Sequence, residues 1–116
     1  FSTENEANAA FVKAFRDKYG EFPNQFAGEA FDGLSWFLDV VEETGSWDAD
    51  TWVKAFETST YEKSVEGVKT MRACDHQATQ MGVFGKAVKG EAPYPDVTMD
   101  VTYTFEPDLL FTPCKD

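Results

Sequence analysis

The sequence predicts an α/β fold in which three helices are followed by about three strands. Apolar residues recur at helical spacing through the first half of the chain, whereas the second half contains runs in which apolar and polar residues alternate. Glycines separate the helical segments, and no flexible linker lies between them. With 116 residues, the chain has the length of one domain.

The first helix is predicted from Thr3 to Tyr19. Thr3 and Glu6 have the spacing of a capping box, and Gly20 suits the position that follows a helix end. One face of this segment repeats at the helical period. Its apolar residues are Ala7, Ala10, Phe11, Ala14 and Phe15.

The second helix is predicted from Ala27 to Gly45. One apolar stripe follows the helical period, and further apolar residues lie on other sides of the helix. The stripe consists of Phe31, Leu34, Leu38 and Val41, and the other apolar residues are Phe26, Ala30, Trp36, Phe37 and Val40. Such wide apolar coverage predicts burial on more than one face.

The third helix is predicted from Ala49 to Thr58. Ser46 and Asp48 are both candidates for its N-cap. Its apolar positions, Trp52, Val53 and Phe56, have helical spacing.

Three strands are predicted after the helices, in the ranges 68–72, 81–88 and 97–105. Gly82 and Gly85 interrupt the second strand and indicate bulges or close backbone approach. Two prolines make 91–96 a loop, and the last strand alternates as a half-buried strand does. So small a sheet leaves much apolar helix surface uncovered, so the isolated chain is expected to self-associate.

Composition excludes several classes of partner. Ten basic and 21 acidic residues give a net charge of −11, which disfavours nucleic acids and anionic membrane surfaces. Aromatic residues make up 16% of the chain, too many for a disordered tail. An acidic, self-standing protein-interaction module is one function compatible with this composition.

Catalytic and metal-binding patterns are weak. Asp75 and His76 are adjacent, so strand geometry would direct them to opposite faces, and no nucleophile motif accompanies them. A hydrolase that uses His76 is therefore a remote alternative. The acids Glu42, Glu43, Asp48 and Asp50 lack the glycine and the closing glutamate of a calcium loop. We therefore expect no enzyme activity, no metal site and no cofactor.

Three further groups of residues are weighed as sites and expected to be structural. Glu29 and Asp32 share a helix face, but a pair of acids on a helix usually serves as surface or as hydrogen-bond partners. Aromatic residues at helical spacing usually belong to a core rather than to a ligand site. These aromatic residues are Trp36, Trp47 and Trp52. Cys74 and Cys114 are compatible with two buried thiols or with one disulfide.

Taken in order, four segments resemble the C-terminal third of branched-chain amino-acid-type substrate-binding proteins of ABC transporters. They read NAAFVKAFRDKYGEFP, AGEAFDGL, TGSWDADTWVKAF and GVKTMRACDHQ. Phe31 and Gly33 stand where the family usually has Tyr and Ala. The fourth segment resembles a branch of the family whose strand carries Arg, Cys and Asp-His-Gln.

This resemblance implies part of a type I periplasmic-binding-protein lobe in a two-lobed, extracytoplasmic protein. Residues 1–90 would complete the N-terminal lobe, and residues 91–116 would cross the hinge and form the tail. An amino acid-like or carboxylate solute would bind between the lobes and pass to a membrane permease. The exported location favours a Cys74–Cys114 disulfide, and the family's pattern assigns Phe26 to the interlobe cleft.

Overall fold

The structure, a computed structural model, describes residues 5–91 and 97–115. Within these ranges the chain forms three α-helices, five strands and one 3-10 turn, which confirms the predicted order of helices before strands. The helices are α1 (Glu6–Tyr19), α2 (Gln25–Thr44) and α3 (Ala49–Phe56). The strands are β1 (Thr60–Tyr61), β2 (Lys69–Met71), β3 (Ala78–Thr79), β4 (Gly82–Lys89) and β5 (Val97–Phe105), and the 3-10 turn is Pro107–Leu109.

Asparagine side chains begin the first two helices. The side chain of Asn5 accepts a hydrogen bond from the backbone N–H of Asn8, so α1 begins three residues later than predicted, and Thr3 lies outside the described residues. Asn24 caps α2 in the same way, which starts that helix two residues earlier than predicted. Gly20 ends α1 in the left-handed conformation expected of it, with φ of 74°.

The third helix is capped by Asp48, one of the two candidates from the sequence. Its carboxylate accepts hydrogen bonds from the backbone N–H and the hydroxyl of Thr51. The helix ends at Phe56 rather than at Thr58, because the backbone N–H groups of Thr58 and Ser59 bond to carbonyls three residues back and tighten the last turn.

The strands form two separate antiparallel sheets. The first has the order β1-β2-β3, and β1 and β3 are two-residue strands that the sequence did not predict. The second is the long β4–β5 hairpin, which pairs Gly82 with Phe105 at one end and Lys89 with Val97 at the other. The loop predicted at 91–96 lies almost wholly outside the described residues.

The register of the hairpin shifts between Phe84, which pairs with Tyr103, and Gly85, which pairs with Val101, so the extra residue of the bulge is Thr102 of β5 and not a residue of β4. The close backbone approach predicted at Gly85 is confirmed. A Cβ on Gly85 would lie 2.3 Å from the backbone oxygen of Asp100, so only glycine allows the two backbones to approach this closely. The half-burial predicted for β5 is wrong within the described residues, where Val97 and Tyr103 remain more than 60% exposed. Within the same residues, the hairpin has no second layer to cover either face.

The core lies between α2, α3 and the first sheet. Trp36 stacks on Tyr61 at a ring distance of 5.6 Å, and Phe56 approaches Trp36 at 5.1 Å. Val40 is 3% exposed and completes this cluster. Burial of these large side chains is the main stabilising contribution in this half of the chain.

The other apolar face of α2 has little cover among the described residues. Leu34 is 61% exposed and Leu38 is 46% exposed, although both belong to the predicted stripe. Phe31 is partly covered by Phe11 of α1, with ring centroids 4.8 Å apart. The helix therefore buries one of its apolar faces and leaves most of the other open.

Candidate functional site

A cleft of about 690 Å³ opens between the starts of α1 and α2 on one side and the β4–β5 hairpin on the other. Its walls are largely apolar, with amide and hydroxyl groups placed between the apolar side chains. Asn8, Asn24, Gln25, Gln80 and Thr98 contribute the neutral polar groups. The mixed lining offers contacts for both the polar and the apolar parts of a small molecule.

Phe26 lies in the first turn of α2, not before the helix as predicted. Its side chain is 74% exposed, so Phe26 is not a core residue of the described chain. It also does not line the 690 Å³ cleft, although its neighbour Gln25 does. The side-chain amide of Gln25 instead donates a hydrogen bond of 2.8 Å to Glu29.

A buried cluster of charges supports the wall of the cleft behind α2. Asp32 is 1% exposed, and its two carboxylate oxygens accept hydrogen bonds from the Ser64 hydroxyl at 2.6 Å and the Val65 backbone N–H at 2.9 Å. The ammonium of Lys69 lies 2.9 Å from Asp32 and 2.6 Å from Glu66. The segment 64–66 is thereby held against the helix.

Lys69 keeps its charge in this position. Burial acts to lower the pKa of its ammonium, but the hydrogen bonds to Glu66 and Asp32 and their negative charges outweigh burial and raise the pKa above its ordinary value. Removal of either charge would leave the other buried without compensation, which is strongly destabilising.

Glu66 brings this cluster to the cleft surface. Among the described residues it is the one charged side chain that lines the cleft. A Cβ on Gly28 would lie 3.1 Å from Glu66 Oε1, so the missing side chain at Gly28 makes room for the carboxylate beside α2. The close approach of Glu66 to Gly28 therefore places the charge cluster directly beside the first turns of α2.

Cys74 and Cys114 form the predicted disulfide, with their Cα atoms 5.9 Å apart. The bond joins the turn between β2 and β3 to the C-terminal tail, across 40 residues of sequence. Among the described residues no cysteine is left unpaired. The disulfide lies away from the cleft lining and has a structural role.

Asp75 and His76 do not act as a pair. Asp75 accepts a hydrogen bond of 3.0 Å from Arg72, whereas His76 Nε2 lies 2.8 Å from Glu57. His76 has a left-handed backbone, with φ of 55°, and both residues lie in the turn between β2 and β3 and not on a strand. Each residue thus has a different hydrogen-bond partner.

The other candidates also have structural positions. Asp48 serves as a helix cap, and within the described ranges no group of three or more metal-ligating side chains comes together. Trp36 is a core residue, Trp52 is partly buried against the core, and Trp47 is 74% exposed beside Phe37. Asp32 is a hydrogen-bond partner, and Glu29 does not share its site. No helix in the described part of the chain is both long and apolar enough to cross a bilayer.

The charge cluster of Asp32 and Lys69 was not predicted. One signal was present in the sequence, since Asp32 interrupts an apolar stretch of α2 between Phe31 and Leu34. An acid at such a position is buried only when it has a partner. The partner could not be identified, because Lys69 lies far away in the chain.

The chain belongs to the periplasmic binding protein family, whose sequence profile matches residues 1–92. The predicted type I periplasmic-binding-protein lobe is confirmed by the solved structures that share this fold. A search of curated protein sequences finds no match.

Three solved structures illustrate the likeness. An amino acid ABC transporter substrate-binding protein from Pseudomonas fluorescens is 29% identical, with a TM-score of 0.78 over 98% of this chain and 31% of its own. The leucine-, isoleucine-, valine-, threonine- and alanine-binding protein from Brucella ovis is 22% identical, with a TM-score of 0.78 over 97% of this chain and 30% of its own. A solute-binding protein of an ABC transporter from Rhodopseudomonas palustris, in complex with 3,4-dihydroxybenzoic acid, is 20% identical, with a TM-score of 0.81 over 91% of this chain and 28% of its own. The chain thus spans about a third of the length of these proteins.

Proposed function

We propose that this chain is part of the extracytoplasmic solute-binding component of an ABC importer. The component binds a small amino acid-like or carboxylate solute between two lobes and delivers it to a permease in the membrane. The observation that carries this proposal is the agreement of fold with solute-binding proteins over 91% to 98% of the chain.

The proposed mechanism is closure of two lobes around the solute, with no covalent step. Hinge closure buries a small ligand and creates the shape that a membrane partner recognises. The local chemistry supports a binding role, because Asp75 and His76 are engaged by Arg72 and Glu57 and do not form a catalytic pair.

We assign residues 1–90 to the N-terminal lobe and residues 91–116 to the hinge crossing and the tail. The exposed ring of Phe26 is our candidate for the solute contact contributed by this chain. Its position in the first turn of α2 supports the assignment, because the open N–H groups of a helix start lie beside it. The buried Asp32 cluster holds α2 against residues 64–66 and so fixes the helix that carries the ring.

The proposal is tested by measuring whether ligands raise the melting temperature of the intact protein as the cell makes it. The first ligands are those named for the related structures: leucine, isoleucine, valine, threonine, alanine and 3,4-dihydroxybenzoic acid. A ligand at one hundred times its dissociation constant stabilises the folded state by about 2.7 kcal/mol, which moves the melting temperature by several degrees. We expect such a shift for at least one amino acid or carboxylate, checked by calorimetric titration. The absence of any shift across a broad panel of amino acids, carboxylates and sugars would count against a solute-binding role.

A further inference from the structure

The turn between β2 and β3 is closed by its own backbone. The N–H of Arg72 donates to the carbonyl of Gln77, and the N–H of His76 donates to the carbonyl of Arg72, both at 2.9 Å. Asp75 accepts from the backbone N–H of Gln77 at 3.2 Å. Cys74 therefore occupies a defined position in residues 72–77, which we name the Cys74 turn.

Arg72 connects the Cys74 turn to the C-terminal tail, residues 110–115. Its guanidinium donates to the backbone carbonyl of Thr112 at 2.7 Å and lies 5.3 Å from the centre of the Phe111 ring. The same group pairs with Asp75 at 2.9 Å, which orients the guanidinium. The side chain of Arg72 is 15% exposed, so these interactions are partly shielded from water.

The Arg72 guanidinium also reaches the disulfide. Nη2 lies 3.6 Å from the sulfur of Cys74, and Thr112 is two residues before Cys114. The contacts of Arg72 with Thr112 and Phe111 are made to groups other than the sulfur atoms.

We infer that Arg72 is a positioning residue that holds the C-terminal tail beside Cys74 before the disulfide forms. The Cys74–Cys114 bond then closes on a tail that is already in place. Two effects follow from this geometry. Docking of the tail raises the effective concentration of Cys114 near Cys74, and the positive charge stabilises the thiolate of Cys74 in the reduced chain.

The chemical step is an ordinary thiol–disulfide exchange with a disulfide oxidant such as oxidised glutathione. The Cys74 thiolate attacks the oxidant, forms a mixed disulfide and releases one glutathione thiolate. The Cys114 thiolate then attacks the Cys74 sulfur of that mixed disulfide and releases the second glutathione thiolate. Two cysteine thiols are oxidised and one molecule of oxidised glutathione is reduced.

The docked tail also reaches the cleft. A Cβ on Gly82, a residue that lines the cleft, would lie 2.6 Å from Leu110 Cδ1. Leu110 is thus in contact with the first residue of β4. Arg72 consequently helps to place an apolar side chain against one edge of the cleft, in addition to placing Cys114.

The rate of disulfide formation tests this inference directly. The intact protein, as the cell makes it, is reduced and transferred to a glutathione buffer. Formation of the disulfide is then followed by alkylation of the remaining thiols and mass spectrometry. The disulfide of the Arg72→Gln variant should form about tenfold more slowly, which is the expected effect of losing one charge-assisted hydrogen bond. Lys63→Gln removes an exposed cation paired with Asp39 and should oxidise at the original rate. An unchanged rate for Arg72→Gln would overturn the inference.

A second measurement separates docking of the tail from thiolate chemistry. In the double variant Cys74→Ser with Cys114→Ser, the nuclear Overhauser contact between the Leu110 methyl groups and Gly82 reports whether the tail stays docked. This contact should persist in the double variant and be lost when Arg72→Gln is added. Loss of the contact in the double variant alone would contradict the inference.

Arg72→Lys provides the matched control, because lysine keeps the charge and loses the planar group of donors. We expect this variant to retain the pH dependence of oxidation but not the contact between Leu110 and Gly82. If circular dichroism shows that Arg72→Gln is unfolded, Asp75→Asn replaces it. Asp75→Asn removes the carboxylate that orients Arg72 and should slow oxidation in the same direction, and an unchanged rate would again overturn the inference.

Discussion

Lys69 and Asp32 form an ion pair that is almost completely withdrawn from water. Their charged atoms are 2.9 Å apart, and their side chains are 7% and 1% exposed. The pair connects β2 to the middle of α2. The Ser64 hydroxyl and the Val65 backbone N–H donate further hydrogen bonds to the carboxylate of Asp32. It is a buried polar connection between the helical half of the chain and the first sheet.

Lys69→Met should therefore destabilise the protein by about 3–5 kcal/mol, because it leaves Asp32 charged and buried without its cation. Asp32→Asn should cost less, since Asn retains an oxygen for the Val65 N–H and Lys69 retains Glu66. Urea unfolding of both variants measures the difference. Equal and small losses would show that the pair contributes little.

Stability should fall as the pH rises above about 10. Lys69 has a pKa raised by its carboxylate partners despite burial, and Tyr61 has a pKa raised by burial and by the charge of Asp39. A raised pKa in the folded state means that the contribution is complete below the unfolded pKa and is lost as the pH rises through the folded pKa. Unfolding curves collected between pH 8 and pH 12 measure this loss.

Tyr61→Phe is the control for the pH experiment. It removes the phenol and keeps the ring that stacks on Trp36. The decline in stability should become shallower in this variant and should not disappear, because Lys69 remains. A flat profile in Tyr61→Phe would show that Lys69 has no raised pKa.

Gly85→Ala should destabilise the β4–β5 hairpin by about 1–3 kcal/mol, the usual cost of overpacking. The new Cβ would lie 2.3 Å from the backbone oxygen of Asp100, and that oxygen cannot move without breaking the pairing of the strands. Gly33→Ala is the matched control, because nothing lies within 4 Å of its Cβ position in the middle of α2. Gly33→Ala should raise stability by about 0.5–1 kcal/mol through helix propensity. Thermal unfolding of both variants compares the two effects, and equal melting temperatures would contradict the prediction.

Phe26→Ala should weaken solute binding by about 1–3 kcal/mol in the naturally produced protein, once a ligand is known, with little loss of stability. The physical reason is that the ring is 74% exposed in the described chain, so its removal leaves no cavity in the core. Trp47→Ala is the control, since Trp47 is equally exposed at the other end of α2, roughly 30 Å away by helix length. Calorimetric titration measures affinity. Unchanged affinity together with a large drop in melting temperature would show that Phe26 packs in a core.

The helices and their ends were largely predictable because caps are local. Asp48 and Gly20 act where the sequence placed them, since each needs only its own neighbours. The starts of α1 and α2 were displaced by two or three residues, because Asn5 and Asn24 use a capping interaction that other polar residues nearby could also have made. The close backbone approach at Gly85 was predictable for the same reason, because a glycine inside a strand often marks such an approach. The bulged residue itself, Thr102, lies on the opposite strand and was not predicted.

The sequence by itself determined the order of elements, the apolar faces of the helices, the acidic surface and the family resemblance. Only the tertiary structure decided that Lys69 is the partner of Asp32, that Arg72 contacts Thr112, and that β1 and β3 exist. Two-residue strands have no periodicity of their own and form because β2 pairs with them. Contacts between residues far apart in the chain depend on how the helices and sheets pack, and no local pattern encodes that packing.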